Sequence, residues 1–285
     1  MPVVDPLAHA IDFSITLMAW PHQNLLNLHP ELGKIGGGFR TIAKTPKLYR
    51  LWARTRRAPV AKWEAKLVKP YDKAGKGSSA LVAAASRSVV AEIAMKNGHK
   101  VCGTFFDLQK FFDIVESTPL YESVVETGFP MIDALMGSQT HMAPRVIILN
   151  TIPSVPIVVD SSILAGCIYS VPWVKSLFHP GSSIIHKTYH YNTYVDDVSN
   201  LSTGYGPDVL DAVVSCALKF HSLFVAKRKF RLSGKSAVVA NDKKLAHRVA
   251  KELSLMPMLN IGLGSGKNQE TTAMLTKCWK NAQCV

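Results

Sequence analysis

His190-Tyr191-Asn192-Thr193-Tyr194-Val195-Asp196-Asp197-Val198-Ser199-Asn200-Leu201 is the stretch that decides how this chain folds. Its flanks are β-prone and its centre holds two adjacent carboxylates. The pattern predicts a strand, a tight turn carrying Asp196-Asp197, and a second strand. Asp is an ordinary turn residue, so on its own the hairpin reads as a solvated tip. Chemistry requires a third carboxylate beside it.

Phe105-Phe106-Asp107-Leu108-Gln109-Lys110-Phe111-Phe112-Asp113 offers one. Asp107 closes an apolar, strand-like run over Lys100–Leu108, although alone it reads equally as an Asp that starts a helix. Three carboxylates on adjacent strands would supply hard oxygen ligands for two Mg²⁺ ions. Such ions, about 3.5–4 Å apart, activate an attacking hydroxyl and stabilise a leaving pyrophosphate. Phosphoryl transfer works chiefly by positioning and charge neutralisation, so no Ser/His nucleophile is needed.

The rest of the chain is compatible with such a site. At 285 residues, 47% hydrophobic and 19% charged, it is globular in composition and long enough for a sizeable core. A net charge of +13 fits a polyanionic partner. Cys102, Cys167, Cys216, Cys278 and Cys284 are scattered and odd in number, which predicts reduced, intracellular thiols, with cytoplasm and nucleus undistinguished. The apolar region Val146–Val174 is broken by Pro153, Pro156, Asp160 and Pro172, so no bilayer span is expected there, nor any membrane partner. The N-terminus lacks the pattern of a secretory signal.

Strands and helices interleave, which predicts an α+β fold. Residues 24–45, with Gly33 and Gly36–Gly38, read as a mobile basic loop entering a short strand at Phe39–Ile42. Helices are expected over Lys47–Lys66, from Ser79 to Gly98, from Thr118-Pro119 to Gly128, over Cys167–Phe178, Pro207–Ala226 and Asp242–Leu253. Strands are expected within Arg145–Val159, at Phe230–Leu232 and at Ala237–Ala240.

With these blocks in order, residues 35–265 resemble reverse transcriptases, above all the non-retroviral kind of group II introns and non-LTR retroelements. Asp107–Asp113 is similar to the first palm motif of that family. Ser161-Ser162-Ile163-Leu164-Ala165-Gly166-Cys167 with Ser170 resembles the second, a glycine turn opening a helix, and Tyr194–Asp197 the third. Ser233-Gly234-Lys235-Ser236 resembles the fourth, and residues 259–264 the glycine-bearing fifth. Arg40-Thr41-Ile42 and Leu48–Leu51 resemble the fingers strand and the segment after it.

The resemblance implies a right-hand polymerase with fingers and palm, the small antiparallel palm sheet backed by helices. Residues 1–98 would be the N-terminal region and fingers, 99–116 the first part of the palm and 117–160 the second part of the fingers. Residues 161–265 would be the palm with its catalytic hairpin, and 266–285 a tail or thumb remnant. Asp107, Asp196 and Asp197 would hold two Mg²⁺, for which Mn²⁺ can substitute, with the Leu108 carbonyl as a further ligand. Lys235 would serve the leaving pyrophosphate, and Arg40 and Lys34 the triphosphate. Phe112 would exclude a 2′-hydroxyl and so select deoxynucleotides. Ala165 and Gly166 would lie under the nucleotide. The partners implied are an RNA template with a DNA primer and deoxynucleoside triphosphates.

One departure stands out. The family carries Gln where this chain has Ala165, whose side chain offers no amide hydrogen bonds. Two other readings remain open at this level: an RNA-directed RNA polymerase, against which Phe112 argues, and a retroelement remnant that binds nucleic acid without polymerising. Gly262–Lys267 is no phosphate loop, because Ile261 and Asn268 break the pattern. No Gly-x-Ser-x-Gly elbow occurs. Tyr49-Arg50-Leu51-Trp52-Ala53-Arg54-Thr55-Arg56-Arg57 pairs basic residues with aromatics, as a template-contacting segment would.

Overall fold

The computed structural model describes residues 18–33, 37–75, 77–184, 189–254 and 262–263. In chain order these form β1 (Asn27–Gly33), β2 (Phe39–Thr41), α1 (Lys47–Thr55), α2 (Arg57–Leu67), α3 (Ala80–Lys96) and β3 (Lys100–Phe106). Then follow α4 (Ser117–Glu126), α5 (Met131–His141), β4 (Arg145–Leu149), β5 (Ile152–Pro153), α6 (Ser170–Phe178), β6 (Tyr189–Tyr194) and β7 (Asp197–Gly204). The last are α7 (Gly206–Phe220), β8 (Ala237–Ala240), α8 (Lys243–Ser254) and β9 (Gly262–Leu263). The fold is α+β, as the interleaved sequence pattern predicts. It divides into two compact units, Met1–Leu67 with Phe112–His179, and Val68–Phe111 with Pro180–Val285.

The first unit sets a four-stranded sheet, ordered β2-β1-β4-β5, beside α1, α2 and α4–α6. Its β1 falls where the sequence predicts a loop. Asn27–Pro30 pair in parallel with Arg145–Ile148, so a distant partner, not local propensity, makes this strand. Helix α1 is amphipathic: Leu48, Tyr49, Trp52 and Ala53 are buried while Lys47, Arg50 and Arg54 are exposed. Tyr49 and Trp52 meet Tyr169 edge-on at 6.2 and 6.0 Å. These rings are core, which removes base stacking from the template-contact reading and leaves only the basic face. Beside them the buried Asp133 carboxylate accepts two bonds from Arg56, both 3.1 Å, and one from the Tyr169 hydroxyl at 2.9 Å.

Helix α4 begins at Ser117, before the expected Thr118 cap, and Glu116 precedes it without a side-chain capping bond. Helix α5 was unmarked by the sequence pattern because Gly137 interrupts its apolar face. The glycine has a packing reason: a Cβ there would lie 2.9 Å from Trp173 and 3.0 Å from Tyr169.

The second unit is built on a five-stranded sheet ordered β6-β7-β3-β8-β9, antiparallel except for the β8–β9 pair. Directly paired residues share a face. One face therefore carries the row Tyr191, Asn200, Thr104 and Val238, and packs on α7, where Phe106 stacks on Phe220 at 4.2 Å. The other carries His190, Leu201 and Gly103, then Asn192, Ser199 and Phe105. Helix α3 covers part of that face, with Ala91 and Ala94 against Val101 and Leu201. Ser79 caps α3 by accepting the Val82 amide, and Gly98 turns the chain out of it at φ +74°.

Gly103 lets the strands approach closely, since a Cβ there would meet the Asn200 carbonyl at 2.9 Å. The outer edge of β6 is sealed by the main chain of residues 71–73, through Thr193 N–H to Tyr71 and Lys73 N–H to Thr193.

The expected strand at Phe230–Leu232 reduces to a single bridge, Leu232 to Leu108. Helix α7 runs on into a π-turn, and Gly206–Ala226 is long and apolar enough by composition to cross a membrane. Here it is the core helix of the unit, with Val213, Cys216, Ala217 and Phe220 fully buried. The described cysteines, Cys102, Cys167 and Cys216, are free buried thiols, and burial pushes Cys102 up to about 12.

Candidate active site

The hairpin forms as its sequence predicts, with one refinement. Tyr194 pairs with Asp197, so the two-residue turn is Val195-Asp196, and Asp197 is the first residue of β7. Val195 sits at φ +56°, a region that a β-branched side chain enters at a cost of about 1–3 kcal/mol. Its side chain therefore fights the turn, and the ladder on both sides holds it there.

Asp107 reaches the same end of the sheet from β3. Phe106 pairs with Val198, so continuing the register by one residue sets Asp107 opposite Asp197. Facing Cα atoms in such a pair lie about 4.5–5.5 Å apart. Strand alternation puts both carboxylates on the face that carries Phe105 and Ser199. Asp196 stands on the turn beside them.

The three acids interact electrically. Desolvation by the surrounding protein, followed by the charges of Asp196 and Asp107, pushes Asp197 up to about 6. Because Asp197 keeps contact with solvent, the upward direction is what matters. Replacing Asp197 with Asn therefore has a predicted sign. The ionised carboxylate lowers stability above pH about 6, and the cost fades as the group protonates toward its ordinary 3.8. The Asn variant is expected to unfold at a higher temperature than the parent at about pH 7.5, with the gap closing from about pH 6 to about pH 4. A gap that stays constant over that window in thermal unfolding would count against the coupling.

A clamp fixes Asp107 from behind. Its carbonyl accepts from Ser233 N–H at 2.8 Å, and its own N–H donates to the Ser236 hydroxyl at 3.1 Å. Gln109 N–H donates to the Arg231 carbonyl at 2.8 Å. The loop carrying Lys235 is thereby tied to the acid strand, with Lys235 exposed at its tip. Leu108 is buried and bridges Leu232.

Arg87 was missed by the sequence reading. Projecting from α3, it donates to the Ser199 hydroxyl at 2.9 Å, lies 5.8 Å from the centre of the Phe105 ring, and opposes the rise at Asp197. A lone Arg within the apolar run Leu81–Ile93 was the available signal. It also lines a cavity of about 320 Å³ on this face, with Lys73, His190 and Asn192.

The remaining sequence-predicted residues belong to the first unit. Ala43 N–H donates to the Ala165 carbonyl at 2.9 Å, which brings the segment after Arg40 against the glycine turn. Gly166 has φ +98°, and a Cβ there would approach Ile42 to 3.0 Å, so this turn requires glycine. Phe112 is half-buried and accepts the Ile163 amide at 2.7 Å. The Ile163–Gly166 segment thus meets Phe112 on one side and Ile42-Ala43 on the other, while Arg40 is exposed on β2. His141, also missed, orients the segment by accepting Leu164 N–H at Nδ1. Burial and the nearby Arg145 hold His141 neutral, down to about 3. Lys34 lies outside the described residues.

Asp107, Asp196 and Asp197 carry the hard oxygen donors that a divalent cation takes. Among the described residues, no three His, Cys, Asp or Glu side chains are drawn together into a ready metal cage.

Solved structures share this fold. Telomerase from Candida tropicalis in complex with a TWJ fragment of telomeric RNA superposes with a TM-score of 0.56 at 14% identity, over 77% of this chain and 41% of that one. Apo telomerase from the same organism gives 0.56 at 12% identity over 78% and 45%, and its form truncated from the C-terminal domain 0.54 at 13% over 77% and 51%. The fold is reverse-transcriptase-like, with a polymerase palm-like sheet. The chain spans about half or less of each telomerase it matches. No protein-family model matches it, and no curated protein matches it in sequence.

Proposed function

We propose that this chain is the catalytic core of an RNA-directed DNA polymerase. One observation carries the reading: Asp107 and Asp197 fall opposite one another at an open sheet end, with Asp196 on the adjoining turn. Asp107, Asp196 and Asp197, with the Leu108 carbonyl, would hold two Mg²⁺ or Mn²⁺. When bound, such ions supply an activated primer 3′-hydroxyl and charge neutralisation at the phosphates. The Ser233–Ser236 clamp fixes the backbone of Asp107. Lys235 offers a proton or a positive charge to the departing pyrophosphate. The sequence resemblance gives Arg40 the role of meeting triphosphate oxygens and Phe112 that of excluding a 2′-hydroxyl, and both roles stand as part of this proposal.

The motif order in the sequence supports a retroelement affiliation, while the fold neighbours are telomerases. A non-catalytic, nucleic-acid-binding role is the second reading, favoured by Ala165 and by the absence of a ready metal cage among the described residues.

Primer extension on an RNA template decides between them. With Mg²⁺ or Mn²⁺ we expect a DNA primer to be extended with deoxynucleotides at least about 10²-fold faster than with ribonucleotides. Extension with ribonucleotides alone would make the chain an RNA polymerase, and no extension with either metal would leave the binding role.

A further inference from the structure

Helix α8 carries a second feature that the proposed reaction does not use. Its apolar residues Leu245, Ala246, Val249 and Leu253 are buried, and it packs on α7 and β8. That places it in the helical layer behind the sheet, away from the face that holds Asp107 and Asp197. Its outward residues are Lys243, Lys244, His247, Arg248 and Lys251, with Glu252 the one acid on the helix. Lys244, His247, Arg248 and Lys251 follow helical spacing and so form a single ridge about 10 Å long.

This charge pattern works against the helix that bears it. Lys243 and Lys244 occupy the first turn, where the helix dipole disfavours cations and no acid is present. Lys244 and Arg248 are like charges at i, i+4, which costs a few tenths of a kcal/mol more. Asp242 offsets part of this by capping, through its Oδ1 to the Leu245 amide at 3.0 Å. An arrangement that weakens its own helix is explained by a partner that neutralises it.

We infer that the α8 ridge binds the phosphate backbone of a nucleic acid duplex, at a surface separate from the carboxylate site. Each strand of a duplex carries about one phosphate per 3.4 Å, so the ridge spans roughly three phosphates of one backbone. A lipid surface fits poorly, because a helix that enters membranes needs its apolar face free, and here that face is inside the protein. A protein partner would need an apolar anchor, and the outward residues of the helix provide none.

The test uses the whole chain and a fluorescent 20-base-pair RNA–DNA duplex. Combined substitution Lys244→Ala, Arg248→Ala and Lys251→Ala should reduce the slope of log K against log salt by about two to three, and weaken binding about tenfold at low salt. In the unsubstituted chain, duplex should protect Lys244 and Lys251 from an amine-reactive label, which reads the surface without relying on a variant. Unchanged slope and affinity, or equal labelling with and without duplex, overturns the inference. So does loss of binding to phosphatidylserine vesicles with duplex binding intact. Because Asp196→Asn leaves this ridge untouched, failure here and failure of the polymerase reading are separate outcomes.

Discussion

Replacing Asp196 with Asn is expected to lower primer extension by at least about 10³-fold while leaving salt-sensitive duplex binding within about twofold. Asn keeps the shape of the turn side chain and removes its charge, so the two-residue turn and the Tyr194–Asp197 pair should persist. What disappears is one of the hard anionic ligands needed for charge neutralisation during phosphoryl transfer. Removing a like charge beside Asp197 should also leave the protein at least as stable as before, because Asp196 is one of the groups that raise Asp197. Loss of activity together with undiminished stability separates a chemical role from a structural one. A variant that kept more than about a tenth of the parental rate would remove Asp196 from the proposed metal site.

The second large effect belongs to the first unit and concerns stability. Asp133 is fully buried, and its carboxylate holds Arg56 bidentately and the Tyr169 hydroxyl. Asp133→Ala would leave the Tyr169 hydroxyl without its acceptor in a site that is 1% exposed. Arg56 is better placed, with 31% of its side chain exposed, and can turn to water. Breaking a fully buried pair costs about 3–5 kcal/mol, and the exposed Arg end places this one near about 3 kcal/mol. That corresponds to a fall in melting temperature on the order of 10 °C. Combining Asp133→Leu and Arg56→Met with Tyr169→Phe should recover most of the loss, since apolar groups replace the charges and no buried hydroxyl is left without an acceptor. Thermal denaturation checks both, and a fall below about 2 °C for Asp133→Ala would show that the pair does not hold the unit together.

Local signals were enough where a segment's neighbours in sequence determine its structure. Ser79 and Gly98 bracket α3 because a cap and a left-handed glycine act on their own helix. The alternation through Tyr191 and Val198 marks β6 and β7 because their partner lies only a turn away. The long helix α7 is visible for its amphipathic pattern. Strand β1 was hidden because Asn27–Pro30 depend on Arg145–Ile148, more than a hundred residues later. Helix α5 was hidden because Gly137 answers to Trp173 and Tyr169, not to helix propensity.

At the candidate site, residue types and order pointed to Asp107 and Asp196-Asp197, and the register supplied their proximity. The sequence pattern set Asp197 in the turn, whereas it begins β7. Arg87 and His141 act through contacts with Ser199 and Leu164, which no local spacing encodes. The same holds for Tyr49 and Trp52, whose burial cannot be read from a basic stretch that would suit an exposed helix equally well.

The pairing of Tyr194 with Asp197 constrains how this region can vary. Side chains in a strand alternate strictly, so inserting or deleting one residue in β3 or β7 would carry Asp107 or Asp197 to the face packed on α7. Exchanges of side chain along these strands leave the count intact; changes of length do not. Relatives of this chain should therefore vary in side chain at half-buried positions such as Asn192, yet place their insertions and deletions beyond the strand ends.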